Sequence, residues 1–209
     1  MVKRKIHFRI YLAALIITSA IFFIGVFIGQ LSNQQVVNDL QSKIQDYYQQ
    51  SYPFELIMLL DNSSDFCPVY LSELEILDKA VIDLGFQLSY LEDVKGVSDN
   101  GLKKDYFILE AKSYFLSQIL TEKCNSNDKL ILYFYSNINC DNCKAQGEEL
   151  TKATEGKNAK RYSFDGTLES PIVEAFKQKY NILKYPTIVI DDEILVGFHS
   201  SKDLNSYLK

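Results

Sequence analysis

Two cysteines three residues apart, Cys140-Asp141-Asn142-Cys143, stand where an apolar run gives way to a polar one. The run before them, Leu130-Ile131-Leu132-Tyr133-Phe134-Tyr135, reads as a buried strand, and the segment Lys144 to Leu150 reads as a helix. A strand-to-helix junction at a C-x-x-C sets the first sulfur at the helix N-terminus, where unpaired N–H groups favour a thiolate. The second sulfur then lies one turn later on the same face. A free thiol ionises near pH 8.5, and a helix end that lowers this to about 7 makes half of it thiolate, the nucleophilic form. Cys140 and Cys143 are therefore the candidate redox-active disulfide and the candidate catalytic pair.

A second signal lies downstream. Tyr185-Pro186-Thr187 opens another apolar run, Thr187-Ile188-Val189-Ile190. The coarse order is strand (130–135), helix (140–154), strand (160–164), helix (169–180), strand (187–190), turn at Asp191-Asp192, strand (194–196) and helix (201–208). That order, with the C-x-x-C and Pro186, resembles the thioredoxin superfamily over residues 129–209. The resemblance implies an α/β thioredoxin-like fold in which a cis Tyr185-Pro186 bond faces the cysteines and Pro186 shapes a substrate groove. Tyr185 either lines that groove or packs beside it. Gly197 also fits the pattern. The chain departs from thioredoxins in three places. No Trp precedes Cys140, the intervening pair is Asp-Asn, and Phe134 stands where thioredoxins carry a buried acid. Asp141 opposes a thiolate at Cys140, whereas the helix end and Lys144 favour one.

Ile10 to Gly29 carries no charged residue. As a helix this stretch spans about 30 Å, the thickness of a bilayer core. It is longer than the core of a cleaved signal peptide, and no A-x-A site follows it, so an uncleaved signal-anchor is expected. Lys3, Arg4, Lys5 and Arg9 all precede it, which predicts a single-pass protein with a cytoplasmic N-terminus and an extracytoplasmic remainder. Gly25 and Gly29 form a small-xxx-small pair that a chance apolar sequence also produces. The expected organisation is a basic flank and transmembrane helix (1–31), a helical stalk and hairpin (32–128), and the thioredoxin-like region (129–209).

Val37, Leu40, Ile44 and Tyr47 follow the anchor at heptad spacing, too briefly for a coiled coil but enough for a helical stalk. Pro53 is read as the start of a short apolar helix ending near Asp61. Leu74, Leu77, Val81, Leu84, Leu88 and Leu91 recur at steps of three and four, one apolar stripe on a helix that begins near Pro68. Ser98-Asp99-Asn100-Gly101 is a turn signal. A second helix is expected over 104–123, with Ile108, Ala111, Phe115 and Ile119 on one face. Antiparallel helices joined this way bring Cys67, at the start of the first, beside Cys124, at the end of the second. A structural Cys67–Cys124 disulfide is therefore expected, consistent with an oxidising compartment.

The net charge of −5 opposes nucleic-acid binding. Only Cys140 and Cys143 form a close ligand pair, so a four-cysteine zinc site is disfavoured and no metal is expected. His7 belongs to the basic flank and His199 reads as a surface residue. Asn62-Ser63-Ser64 has the form of a glycosylation sequon. No organic cofactor is required, because thiol–disulfide exchange carries its electrons in sulfur. The expected function is a membrane-tethered thiol–disulfide oxidoreductase acting on exported proteins that bear thiols or disulfides, with room for a membrane redox recycling partner. The exported side favours an oxidase or isomerase over a reductase. The competing expectation is a non-enzymatic binding module in which the cysteines form a static bond.

Overall fold

The computed structural model describes residues 8–60 and 66–208. Lys3, Arg4, Lys5 and His7 and the Asn62-Ser63-Ser64 sequon lie outside the described residues. A long helix, α1 (Phe8–Leu60), is followed by the helices α2 (Cys67–Asp93) and α3 (Asn100–Lys123). A mixed region then runs β1 (Lys129–Tyr135), α4 (Cys143–Thr154), β2 (Ala159–Asp165), α5 (Pro171–Tyr180), β3 (Thr187–Ile190), β4 (Glu193–Val196) and α6 (Ser201–Leu204). The four strands form one sheet in the order β2-β1-β3-β4. β1 runs parallel to β2, while β3 is antiparallel to both of its neighbours.

α1 contains a stretch long and apolar enough to cross a membrane, and the large side chains from Tyr11 to Leu31 are exposed. The same helix continues as the stalk. It also continues through Pro53, so the separate helix expected there does not form. Val37, Leu40, Ile44 and Tyr47 bury one stripe of α1 against Leu77, Val81, Leu84, Leu88 and Leu91 of α2 and Leu102 and Leu109 of α3. Each such side chain, fully buried, contributes about 1.5–3 kcal/mol. The stalk is thus packed into a three-helix layer.

α2 buries every member of the stripe read from its spacing. Gly85 within it gives Tyr106 room, since a Cβ there would meet the phenolic oxygen at 2.7 Å. α3 begins earlier than expected, inside the predicted turn, because the Asp99 side chain accepts the Leu102 N–H at 2.9 Å and caps the helix. Its burial does not follow the face that carries Ile108, Ala111, Phe115 and Ile119. Ile108 and Phe115 are exposed, whereas Phe107, Leu109, Tyr114 and Leu116 are buried. α3 lies between the other two helices on one side and the sheet on the other, so burial wraps most of its circumference. Phe107, Ala111 and Tyr114 share one core with Leu132, Phe134, Tyr162, Phe164 and Phe176, and this core crosses the expected boundary at residue 129. The opposite face of the sheet carries Ile131, Tyr133, Ile188 and Ile190 against Leu150, Ala153, Leu204 and Leu208.

Candidate redox site

β1 ends at Tyr135, and the next residues form a hooked loop. The Ser136 hydroxyl donates to the Ile138 carbonyl at 2.6 Å and accepts the Ile138 N–H at 2.9 Å. Asn139 adopts a left-handed backbone, φ 54°, a conformation that asparagine tolerates better than most residues. Cys140 therefore lies in a turn before the helix, and α4 starts at Cys143 with Asn142 as its cap. This corrects the expected helix start at Cys140. The Cys143 N–H bonds the Cys140 carbonyl at 3.2 Å, and the α-helical ladder begins with Gln146 N–H to Asn142 at 2.8 Å. The field of the helix end acts over the first turn, so both sulfurs remain within its range.

Cys140 and Cys143 are joined by a disulfide, with Cα atoms 5.4 Å apart. Their exposures differ. Cys143 is buried, at 6% exposed, while Cys140 is half-buried. The Ser136 N–H points to Cys143 Sγ at 3.4 Å, and the Tyr133 hydroxyl donates to the Cys143 carbonyl. A cavity of ≈ 390 Å³ opens on the disulfide, and Ser89, Glu92 and Asp93 of α2 form its far wall. The helical hairpin thus contributes to the surroundings of the sulfurs.

Pro186 sits immediately before β3, where Thr187 pairs with Phe134. Continuing that register brings Pro186 to Tyr135, next to the Ser136 amide that faces Cys143. The Tyr185-Pro186 bond is cis, and the Pro186 carbonyl accepts the Gly197 N–H at 2.8 Å. Tyr185 is half-buried. Its hydroxyl donates to the Gly166 carbonyl at 2.6 Å, and its ring covers Gly166 against the core.

Sequence reasoning missed several residues here. Gln146 is fully buried and clamps the segment after β4. Its Nε2 donates to the His199 carbonyl at 3.0 Å and its Oε1 accepts the His199 N–H at 2.6 Å. His199 is accordingly not a plain surface residue, and its Nε2 is buried without a hydrogen-bond partner. Buried Lys103 and Asp165 and partly buried Glu92 form an ion cluster between hairpin and sheet. Glu110 is buried at the edge of β2, accepts the Ser163 N–H at 2.6 Å, and is pushed up to about 8 by burial. Isolated charges on apolar helix faces were the only available signal for Lys103 and Glu110. Nothing in the sequence singles out Gln146.

At the far end of the hairpin Cys67 and Cys124 form the second disulfide, with Cα atoms 5.7 Å apart. Among the described residues, no group of three or more His, Cys, Asp or Glu side chains is placed to hold a metal ion. No family model and no curated protein matches this chain.

Proposed function

We propose that this protein is a membrane-tethered thiol–disulfide oxidoreductase of thioredoxin-like fold, facing the extracytoplasmic side. The observation that carries the reading is the asymmetry of the pair. Both cysteines line the cavity, but Cys140 is half-buried while Cys143 is buried, at 6% exposed. An incoming thiolate reaches Cys140 first and releases Cys143 as thiolate, leaving a mixed disulfide at Cys140. A second client thiolate then attacks the client sulfur of that bond and releases Cys140. The client gains one disulfide and the pair gains two electrons and two protons, becoming a dithiol. In the reverse direction Cys140 attacks a client disulfide and Cys143 resolves the intermediate.

Three further features support the reading. The Ser136 N–H donates toward Cys143 Sγ, an interaction that favours the charged form of a released thiolate. The strand order β2-β1-β3-β4, with one parallel and two antiparallel pairings, is similar to the sheet of the thioredoxin superfamily. Pro186 stands beside the pair by register, and the exposed apolar residues Ile138, Leu183 and Phe198 border this end of the domain. Pro186 then shapes the groove in which an extended client segment lies, while Tyr185 supports it from the Gly166 side.

The test uses the full chain in detergent. With an added small-molecule disulfide as the terminal oxidant, which also recharges Cys140 when Cys143 is absent, turnover of a reduced, unfolded client and of dithiothreitol is followed for the parent, Cys140→Ser and Cys143→Ser. Loss of turnover in both variants, with mixed disulfides accumulating only in Cys143→Ser, is the expected result. Undiminished turnover by Cys140→Ser sinks the assignment and leaves a tethered scaffold.

A further inference from the structure

We infer that the redox end of the protein is held at the membrane surface and acts on cysteines in polypeptide segments that flank a transmembrane span. The inference rests on the reading of Cys140–Cys143 as a redox pair and of the apolar part of α1 as the anchor.

The argument follows the chain directions. α1 is one helix from its exposed apolar stretch to the stripe that the hairpin covers. α2 runs antiparallel to it. Tyr47 of α1 bonds Glu73 at 3.1 Å, Lys43 bonds Gln87 at 3.3 Å, and Leu40 and Ile44 close a space with Leu84 and Leu88. Later residues of α2 therefore lie beside earlier residues of α1, and the C-terminal end of α2 descends toward the anchor. α3 climbs away again. Lys103 bonds Glu92 at 3.2 Å near the bottom, Ser113 bonds Asp78 higher up, and Cys124 joins Cys67 at the top.

β2 runs against α3. Ser117 bonds Tyr162 at 2.8 Å, Glu110 bonds Ser163 at 2.6 Å, and Lys103 bonds Asp165 at 3.3 Å. β1 is parallel to β2, so both strands point their C-terminal ends toward the anchor. The disulfide follows β1, and Ser89, Glu92 and Asp93 share its cavity. By the pairing of α2 with α1, those three residues lie level with the part of α1 around Val37.

Val37 is eight residues beyond Gly29, the last residue of the uncharged apolar run. At about 1.5 Å per residue this is a height of about 12 Å above the hydrocarbon boundary. The headgroup layer itself takes about 5–8 Å of that height. A tilt of about 20° lowers the figure by less than about 1 Å. β3 starts and β4 ends on the same side as the end of β1, so Leu183 and Phe198 join Ile138 at this lower end, exposed at 78%, 47% and 65%. A narrow gap with an apolar lip suits a segment already confined to the surface by its own span. Confinement also raises its effective concentration toward the millimolar range. The exchange is balanced as above, with two client thiols becoming one disulfide as the Cys140–Cys143 bond is reduced, or the reverse.

The test reconstitutes the full chain in vesicles with single-span test peptides whose dithiol lies about six or about forty residues beyond the span. Inserting seven helical residues after Ser32 raises the head by about 10 Å and keeps the helix face. The expected result is that the insertion slows exchange with the short-tether peptide at least tenfold and leaves the long-tether peptide and dithiothreitol within twofold. Equal rates with the short-tether peptide before and after insertion overturn the inference while the redox reading stands. Inertness toward dithiothreitol in the parent overturns both. A spin label on Cys140 of Cys143→Ser gives a second measurement that needs no insertion. Strong broadening by nickel-chelating lipids, exceeding that of a label at Glu122→Cys on the far end of α3, supports the surface position. Equal broadening at the two sites overturns it.

Discussion

The Lys103 ammonium lies 3.3 Å from the Asp165 carboxylate, and both side chains are buried, at 4% and 8% exposed. One belongs to the hairpin and the other to the end of β2, so this contact joins the helical layer to the sheet beside the disulfide. Glu92 completes the cluster at 3.2 Å, and the Lys103 ammonium also lies 5.6 Å from the Tyr135 ring centre. Two carboxylates share one cation, and Asp165 additionally accepts from the Thr167 N–H and hydroxyl.

Replacing Lys103 with Met leaves the buried Asp165 carboxylate and the partly buried Glu92 carboxylate without their cation. Removing one partner of a buried ion cluster costs about 3–5 kcal/mol. Lys103→Met is expected to lower the free energy of unfolding by that order, read from denaturant curves of the tyrosine near-UV signal, since the chain has no tryptophan. A double variant that also changes Asp165 to Asn recovers part of the loss. A Lys103→Met protein as stable as the parent removes the cluster from the account of how the two layers are joined.

Glu110 predicts a pH dependence with a definite sign. Burial raises its folded value to about 8 from the usual 4.5, against the smaller opposing effects of the Ser163 N–H, Arg161 and Tyr106. Between those two values the folded chain keeps a proton that the unfolded chain has released. Stability therefore falls as pH rises through this window, by at most about 1.4 kcal/mol per pH unit, and levels off above it. Glu110→Gln retains an acceptor for Ser163 and cannot ionise. Its stability curve is expected to be flatter than the parent's from pH 5 to 8, with the gap widening toward the alkaline side. Parallel curves refute the prediction.

The legible parts of this molecule share a property. Each depends on local spacing, as in the α2 stripe, the C-x-x-C after a strand and the Cys67–Cys124 bridge across a helix hairpin. The illegible parts depend on what an element packs against. Burial on α3 does not follow a single apolar face, because helices cover one side of it and a sheet the other, so Ser113, Ser117 and Glu110 are buried with partners on neighbouring elements. Gln146 and His199 meet across a distance in the chain that no periodicity encodes. The start of α4 shifted by one turn because the Ser136 hook and left-handed Asn139 hold Cys140 outside the helix.

The Cys67–Cys124 bond closes a loop with a sequence separation of 57. By the chain-entropy relation such a closure stabilises by about 4 kcal/mol. The Cys67→Ser, Cys124→Ser double variant is expected to lose about that much in denaturant unfolding while keeping the Cys140–Cys143 exchange rate with dithiothreitol. This bridge is at the opposite end of the hairpin from the Cys140–Cys143 disulfide, beside Tyr70, Leu74, Leu116 and Leu120. A stability change under 1 kcal/mol argues that the packing of these side chains already fixes the hairpin end.

Gly166 offers a test of the support beneath Tyr185. A Cβ at this position would lie 2.2–2.4 Å from the Tyr185 ring and hydroxyl, well inside van der Waals contact. The ring has to move, and its hydrogen bond to the Gly166 carbonyl at 2.6 Å is then lost. Tyr185 precedes Pro186 directly, so displacement of the ring also disturbs the residue proposed to shape the client groove. Overpacking of this kind costs about 1–3 kcal/mol. Gly166→Ala is expected to raise the KM for an unfolded client several-fold with little change in the rate of exchange with dithiothreitol, which needs no groove. Tyr185→Phe keeps the ring and removes only the hydrogen bond, so it should show the smaller effect. If Gly166→Ala slows both substrates equally, Tyr185 acts on the sulfurs themselves and not on the binding of an extended chain.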